Sequence, residues 1–181
     1  LPTMDLPLAL RSYDPQGQGG YIQPHADYQD KWRQVLPPGK LFAVNWTGSQ
    51  NYSENYFRNI DINLLVKYLA PHGTLINVCM ETPDNPPGVI DIRPFIKSWQ
   101  DTLAVLSLCN RVFSSCSSVA HAAGAIGQAT SVYMRPDDYF TWNSTPSGHS
   151  CLWHSSATVW RTKKIGHWQD IIDESFKHTS L

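Results

Sequence analysis

Short apolar runs alternate with amphipathic stretches of about ten residues along most of the chain. The run LFAVNW at residues 41–46 is bounded by turn residues and is typical of a strand buried on both faces. Apolar residues three or four positions apart, as at Ile62, Leu65 and Leu69, instead predict a helix with one buried face. Asp61 stands where it can cap that helix.

Applied to the whole chain, the pattern predicts strands at residues 41–46, 74–79, 89–92, 111–115, 129–134 and 158–161. It predicts helices at residues 27–36, 61–71, 101–109, 118–127 and 167–178. Strands that alternate with helices in this way predict an α/β fold, a Rossmann-like parallel sheet with helices on both faces. Residues 47–59 are predicted as a polar loop and residues 135–156 as a long irregular stretch.

Two segments follow from this pattern. Residues 1–39 are rich in Pro, Gly and Gln and are predicted as an extended lead-in with one short helix. Residues 40–181 are predicted as one domain that carries the sheet. The 181 residues are enough for one buried core, and 41% hydrophobic against 16% charged residues argues against disorder.

Charge and hydropathy remove further classes. A formal net charge of −1 does not favour non-specific nucleic-acid binding. No apolar run reaches the roughly 18 residues of a membrane span. The first ten residues lack a basic segment followed by an apolar one, so we expect no signal peptide and a cytoplasmic location.

The four cysteines are Cys79, Cys109, Cys116 and Cys151. None forms a CxxC pair, and no Cys/His cluster has zinc spacing, so we expect reduced, largely buried thiols and no metal site. The chain also lacks GxGxxG, Walker lysine, GxSxG and HExxH motifs.

Candidate chemistry lies in the loops after two strands, because open α/β sheets bind ligands at the carboxyl ends of their strands. In RVFSSCSSVAHAAGAIG, a turn of small residues leads into a predicted helix at Ser117 and Ser118. A helix N-terminus offers unpaired N–H groups to a phosphate. The alternatives are that Ser117 only caps a core helix and that His121, one turn further, is a packed core residue.

The other loop contains Trp46, Thr47, Gly48 and Ser49. Gly48 permits close approach of a ligand to the backbone. Arg58 is the sole Arg or Lys between Lys40 and Lys67, and an arginine at this edge can grip a phosphate with two hydrogen bonds. The alternative is an ion pair with Glu54 or Asp61.

The order of these segments resembles that of the C-terminal half of GT-B glycosyltransferases. The segments are WTGS, a loop ending in RNI, the block DTLAVLSLCNRVFSSCSSVAHAAGAIGQATSVYM, and a tail with LWHSSATVWR and GHWQDII. The chain is most similar to the heptosyltransferase-like group (family 9), as found behind tetratricopeptide repeats in bacteria. The similarity covers residues 40–178, and its most specific part is residues 101–127.

The resemblance implies a nucleoside diphosphate sugar as the donor substrate and no cofactor. It implies that Ser117 and Ser118 meet the donor pyrophosphate, with His121 in the same motif. It further implies that residues 46–49 lie beside the donor and that Arg58 begins the next helix. The sequence departs from the family pattern at Cys116, where an acidic residue is usual, and at Ser117, where threonine is common.

A GT-B enzyme also needs a second Rossmann-like domain for its acceptor, and about 40 residues precede the first predicted core strand. We therefore expect a donor-binding domain that needs a missing acceptor domain or a partner chain for activity, and that can self-associate through the uncovered surface. A non-catalytic nucleotide- or glycan-binding module and half of a nucleotide-sugar epimerase remain alternatives.

Overall fold

A computed structural model describes residue 17 and residues 19–82, 85–136, 142 and 149–181. Its strands are β1 (Leu41–Asn45), β2 (Thr74–Asn77), β3 (Val89–Asp91), β4 (Arg111–Ser115), β5 (Thr130–Met134) and β6 (Ala157–Arg161). Its α-helices are α1 (Ala26–Val35), α2 (Ile62–Leu69), α3 (Trp99–Leu108), α4 (Ser118–Ala125) and α5 (Trp168–His178). Each of these strands and helices overlaps a predicted one, with bounds that differ by at most a few residues.

The six strands form one sheet in the order β3-β2-β1-β4-β5-β6, and every neighbouring pair is parallel. This is the strand order of doubly wound, Rossmann-type folds. The predicted α/β class and Rossmann-like parallel sheet are therefore confirmed. The chain order reverses at β1, whose neighbours are β2 and β4, and this reversal sets the place where such sheets bind ligands.

Alternate side chains of β1 serve two separate cores, as expected for a strand covered on both faces. Phe42 and Val44 pack with α2 and α5, whereas Leu41 and Ala43 pack with α1, α3 and α4. Helices therefore cover both faces of the sheet, as predicted.

The short helix α1 belongs to the second of these cores. Trp32 is fully buried, and its indole Nε1 donates a hydrogen bond to Asp101 Oδ1 at 2.9 Å. Asp101 also completes a capping box with Ser98, the N-cap of α3, so α3 begins two residues before the predicted position. Asp101, at the third position of α3, thus completes the cap that Ser98 begins and ties α1 to α3.

Two features differ from the sequence-based expectation. A 3₁₀ helix, Asn55–Arg58, interrupts the predicted polar loop 47–59, because Asn55 is buried and bonds back to residues 47 and 48. Arg58 ends this 3₁₀ helix and does not begin α2, whose N-cap is Asp61 as predicted. Residues 1–16 and 18 of the lead-in, and residues 137–141 and 143–148 of the predicted irregular stretch 135–156, lie outside the described residues.

All four cysteines are free; Cys79, Cys109 and Cys151 are buried and Cys116 is half-buried. Burial raises the pKa of the Cys109 thiol to about 12. Among the described residues, no helix combines the length and the apolar character that crossing a membrane requires.

Candidate functional site

A cavity of about 480 Å³ opens at the carboxyl ends of β1 and β4, where the chain order of the sheet reverses. Six of the eight site residues predicted from the sequence line it: Thr47, Gly48, Ser49, Arg58, Ser117 and Ser118. The structure thus brings together residues that stand up to 71 positions apart in the sequence.

Trp46 and His121 do not line this cavity. The indole of Trp46 is buried in the core that contains α2 and α5. His121 faces the other side of α4, where its ring stacks on Trp142 at 4.2 Å and its Nδ1 lies 3.2 Å from His154 Nε2. For His121, the packed alternative describes its surroundings in the structure.

Asn45 is a site residue that sequence reasoning missed. It is buried at the end of β1, and its amide Nδ2 lies 2.9 Å from Ser117 Oγ and 3.1 Å from Ser114 Oγ. The same nitrogen contacts the carbonyl oxygen of Thr47 at 3.2 Å. A polar amide that ends an otherwise apolar strand was the signal in the sequence. Asn45 holds the two loops of the site together.

Ser117 is the N-cap of α4, with the extended backbone that a cap requires. Its hydroxyl oxygen accepts from Asn45 Nδ2 and, at 3.5 Å, from the Ala120 N–H. Ser114 donates its own hydroxyl to the Ser115 carbonyl, which leaves Ser114 Oγ as the acceptor for the Ser117 hydroxyl at 3.1 Å. The Ser117 hydroxyl is therefore occupied within the protein.

Ser118 presents the cavity with a different kind of group. Its side chain is exposed and lines the cavity, and no other described residue accepts or donates a hydrogen bond at its hydroxyl. The N–H groups of Ser118 and Val119 start α4 and have no intrahelical acceptor. These three donors face the same cavity, which suits an anion.

Arg58 supplies the positive charge of this end of the cavity. Its Nε donates to Asn55 Oδ1 at 2.8 Å and its Nη1 to the Cys116 carbonyl at 3.1 Å. The guanidinium also lies 4.9 Å from the ring centre of Tyr52. Within the described part of the chain no carboxylate pairs with Arg58.

Among the described residues, the predicted alternative for Arg58, an ion pair with a neighbouring acid such as Glu54 or Asp61, is therefore wrong. Glu54 pairs instead with Arg135 at 2.7 Å, which lowers the pKa of the Glu54 carboxyl. Asp61 accepts the N–H of Asn63 at the start of α2. The charge of Arg58 stays available to a ligand in the cavity.

The absence of a side chain at Gly48 leaves space for the Arg58 guanidinium. A Cβ at position 48 would lie 2.3 Å from Nη2 and 2.5 Å from Cζ of Arg58. The sequence predicted that Gly48 lets a ligand approach the backbone; in the structure the guanidinium makes that approach. Asn55 supports the arrangement by accepting from the Gly48 N–H at 3.1 Å and donating to Thr47 Oγ1 at 3.0 Å.

Another part of the cavity lining is apolar and aromatic, beside Lys97, Ser98 and Thr102. Val78, Met80, Ile96 and Trp99 line it. Trp99 and Met80 are large apolar side chains left more than half exposed, Trp99 at 55%. An exposed indole beside a cavity offers a flat surface for a ring to stack on. Among the described residues, Glu81 is the one carboxylate in the lining.

The thiol of Cys116, where the resembled family has an acid, is half-buried below this site. Burial raises the pKa of the thiol, against a smaller opposing effect of Arg58. The position therefore carries no negative charge that would repel an anion or neutralise Arg58.

Among the described residues, no group of three or more His, Cys, Asp or Glu side chains could hold a metal ion. Comparisons of this chain with protein-family models, with curated proteins and with solved structures find no match. Membership of the GT-B glycosyltransferases consequently stays a prediction from the resemblance, and the fold and the cavity are the findings on which a function can be argued.

Proposed function

We propose that this chain binds a nucleoside diphosphate sugar and acts as the donor-binding domain of a glycosyltransferase. The observation that carries the proposal is Arg58, a cation without a carboxylate partner in the described chain, beside the N-terminus of α4. Both stand at the reversal point of the sheet, where open parallel sheets bind nucleotides.

The diphosphate fits the polar end of the cavity. Arg58 retains guanidinium N–H groups beyond those given to Asn55 and Cys116, and the first-turn amides of α4 and the Ser118 hydroxyl add neutral donors. Hydrogen bonds from a guanidinium to a phosphate are among the stronger ones in proteins. An anionic ligand at this place would pair with the Arg58 guanidinium, which has no carboxylate partner among the described residues.

The nucleobase fits the apolar end, against Trp99 and Met80. A volume of about 480 Å³ falls in the range of small-molecule sites, roughly 300–1,000 Å³. A ligand with a charged group at one end and a flat ring at the other matches the two walls. Glu81 also lines the cavity and would supply an acceptor for ribose hydroxyls.

In a transfer reaction, negative charge builds on the diphosphate as it leaves the sugar. Arg58 and the α4 amides would stabilise that charge more in the transition state than in the bound donor. An acceptor hydroxyl must also be held in line with the sugar carbon, and we propose that a facing domain or partner chain does this.

The lining residues argue against half of a nucleotide-sugar epimerase, which a pair of carboxylates in the cleft would favour. Glu81 is the one carboxylate that the described part of the chain contributes to this lining. A non-catalytic nucleotide-binding module would use the same contacts and differs in turnover alone.

Calorimetric titration with nucleoside diphosphates and their sugars tests the binding. We expect Arg58→Met to weaken binding at least tenfold. Arg58→Lys should also bind poorly, because an ammonium cannot reach Asn55, the Cys116 carbonyl and a phosphate in one plane. Arg33→Met is the matched control, since Arg33 is exposed and pairs with Asp30. Equal affinity in wild type and Arg58→Met would refute the proposal.

A turnover assay on the purified chain, with several nucleotide sugars and simple acceptors, tests the reaction. We expect binding without sugar transfer, because the described residues form one sheet and an acceptor must be ordered by a facing domain or a partner chain. Interconversion of the donor sugar would instead support the epimerase alternative, and robust transfer by the chain alone would contradict the need for a second domain.

A further inference from the structure

A second cavity, of about 360 Å³, lies on the face of the sheet covered by α2 and α5. Six residues line this rear pocket: Arg111, His149, Thr158, Trp160, His178 and Thr179. Arg111 begins β4, whereas the cavity at the reversal point lies beyond Ser115, where β4 ends. The two cavities therefore belong to opposite edges of the sheet.

Arg111 is an unusual lining residue because its charge is not compensated. Its side chain is half-buried, and no described residue forms a hydrogen bond or an ion pair with its guanidinium. Burial lowers its pKa, which reports the cost of keeping the charge there. A guanidinium has five N–H donors, and leaving them unpaired in a partly buried place is expensive.

Trp160 adds a second unpaired donor. Its side chain is 2% exposed, and within the described residues its indole Nε1 has no hydrogen-bond acceptor. The ring lies between two histidines, stacked on His149 at 4.2 Å and facing His178 at 6.3 Å. Buried indole N–H groups usually find a partner.

Ser131 lies next to this pocket in the sheet. It pairs in register with Thr158, a lining residue, and its buried hydroxyl likewise has no partner among the described residues. Three hydrogen-bonding groups at or beside one cavity are thus left unsatisfied. Glu174 does not compensate these groups, because its Oε1 lies 3.8 Å from His149 Nε2 and its side chain is half exposed.

We propose that the rear pocket is a second binding site, for the phosphate or carboxylate group of a small organic molecule. Arg111 supplies the charge, the threonine hydroxyls supply neutral donors, and the indole of Trp160 with the imidazoles of His149 and His178 forms the walls. An oxyanion is the ligand class that satisfies donors of this kind together with a cation. The site is independent of the function proposed for the cavity at the reversal point.

The test uses the full chain labelled with ¹⁵N in its tryptophan indoles, with the Trp160 signal assigned from Trp160→Phe. Inorganic phosphate and citrate are titrated separately at constant ionic strength. We expect one or both to shift the Trp160 signal in a saturable way, and the comparison tells phosphate from carboxylate. Absence of a saturable shift with either anion would overturn the proposal.

Two variants of the rear pocket and one control variant locate the binding. Arg111→Met should weaken the titration at least tenfold, whereas Arg58→Met should leave it unchanged. His149→Gln is a second variant that keeps Arg111 and removes one wall, and it should weaken the titration less. A Trp160 shift of equal affinity in wild type and Arg111→Met would overturn the assignment. Arg58→Met should lose nucleoside diphosphate binding, whereas Arg111→Met should retain it. Failure of this proposal can therefore be distinguished from failure of the first.

Discussion

Arg58 Nη1 donates a hydrogen bond of 3.1 Å to the carbonyl oxygen of Cys116, and so joins the loop after β1 to the turn before α4. These two segments form the polar end of the cavity at the reversal point. The same side chain that offers positive charge to a ligand therefore also fixes the relative position of its two loops. Changes that move Arg58 should alter binding more than stability.

Gly48→Ala is the first such change. The added Cβ would meet the end of the Arg58 side chain and no backbone atom among its three nearest neighbours, so Arg58 can swing away. We expect a stability loss of about 1 kcal/mol, at the low end for overpacking. Nucleoside diphosphate affinity should fall about tenfold, which corresponds to roughly 1.4 kcal/mol. Chemical denaturation and calorimetry measure the two effects.

Gly73→Ala is the contrasting variant. Its Cβ would lie 2.5 Å from the carbonyl oxygen of Lys40, which belongs to the backbone and cannot move aside. This change should cost about 3 kcal/mol of stability, the upper end for overpacking, while the folded fraction binds normally. If Gly48→Ala behaved like Gly73→Ala, Arg58 would not be the group that Gly48 accommodates.

Substitutions of Ser117 and Ser118 should likewise differ, one affecting mainly stability and the other mainly binding. Ser117→Ala removes the N-cap side chain of α4 and one hydrogen-bond partner each of Asn45 and Ser114, so stability should fall by about 1–2 kcal/mol. Ser118→Ala should change stability by less than about 0.5 kcal/mol, because the side chain is exposed. Its loss of one hydrogen bond to a charged ligand should weaken binding by about 1.5–3 kcal/mol.

Denaturation of the two single variants and calorimetry of the bound diphosphate provide the comparison. The assignment of roles fails if Ser118→Ala destabilises the fold as much as Ser117→Ala does. It also fails if Ser118→Ala binds the diphosphate like wild type.

The fold could be predicted from the sequence because β1 and β4 are short apolar runs and α2 carries its apolar residues at helical spacing. These patterns consist of the spacing of apolar residues along the chain, so they can be recognised without knowing which residues pack together in the fold. The sequence pattern did not predict the start of α3 or the 3₁₀ helix at Asn55–Arg58. The capping box at Ser98 and the burial of Asn55, which determine them, depend on side-chain contacts.

The site was predictable as far as strand order allows, since loops after β1 and β4 meet at one edge. Which side chain of a helix faces that edge was not, because His121 and Ser118 differ by less than one turn. The structure turns Ser118 to the cavity and His121 to Trp142 and His154. Asn45 was missed because two of its three partners, Ser114 and Ser117, come from a distant segment of the sequence.

Asp101→Asn should be strongly destabilising. The carboxylate accepts from Lys31 Nζ at 2.6 Å, from the Trp32 indole and from the backbone N–H groups of Lys97 and Ser98. Burial opposes ionisation, but these hydrogen bonds outweigh it and lower the pKa of Asp101 to about 2. An amide would turn N–H donors toward N–H donors, so we expect a loss of about 3 kcal/mol by denaturation.

Lys31→Met is the control for the charge alone. Lys31 is half exposed, and the other donors to Asp101 remain, so the loss should stay below about 1 kcal/mol. Because the pKa of Asp101 is lowered on folding, its contribution is present above about pH 4 and is lost as the pH falls toward 2. An equal loss in both variants would show that the ion pair, and not the capping network, carries the effect.

The His121–His154 pair should make the fold less stable in mild acid. Burial, with a smaller effect of His154, lowers the pKa of His121 to about 4, and burial also lowers the pKa of His154. One neutral ring can donate to the other across the 3.2 Å contact, but two charged rings would repel. The unfolded chain binds a proton at His121 from about pH 6.5 downward, whereas the folded chain resists it until about pH 4. The contribution of neutral His121 to the free energy of unfolding should therefore be fully present above pH 6.5 and decrease as the pH drops toward 4.

Urea denaturation between pH 4 and 7 measures this pH dependence of the unfolding free energy, and His121→Gln, which cannot be protonated, should make it weaker. The window lies above the acid loss expected for Asp101, so the two effects are separable. An identical slope in wild type and His121→Gln would show that the neutral imidazole pair does not set the acid sensitivity of this fold.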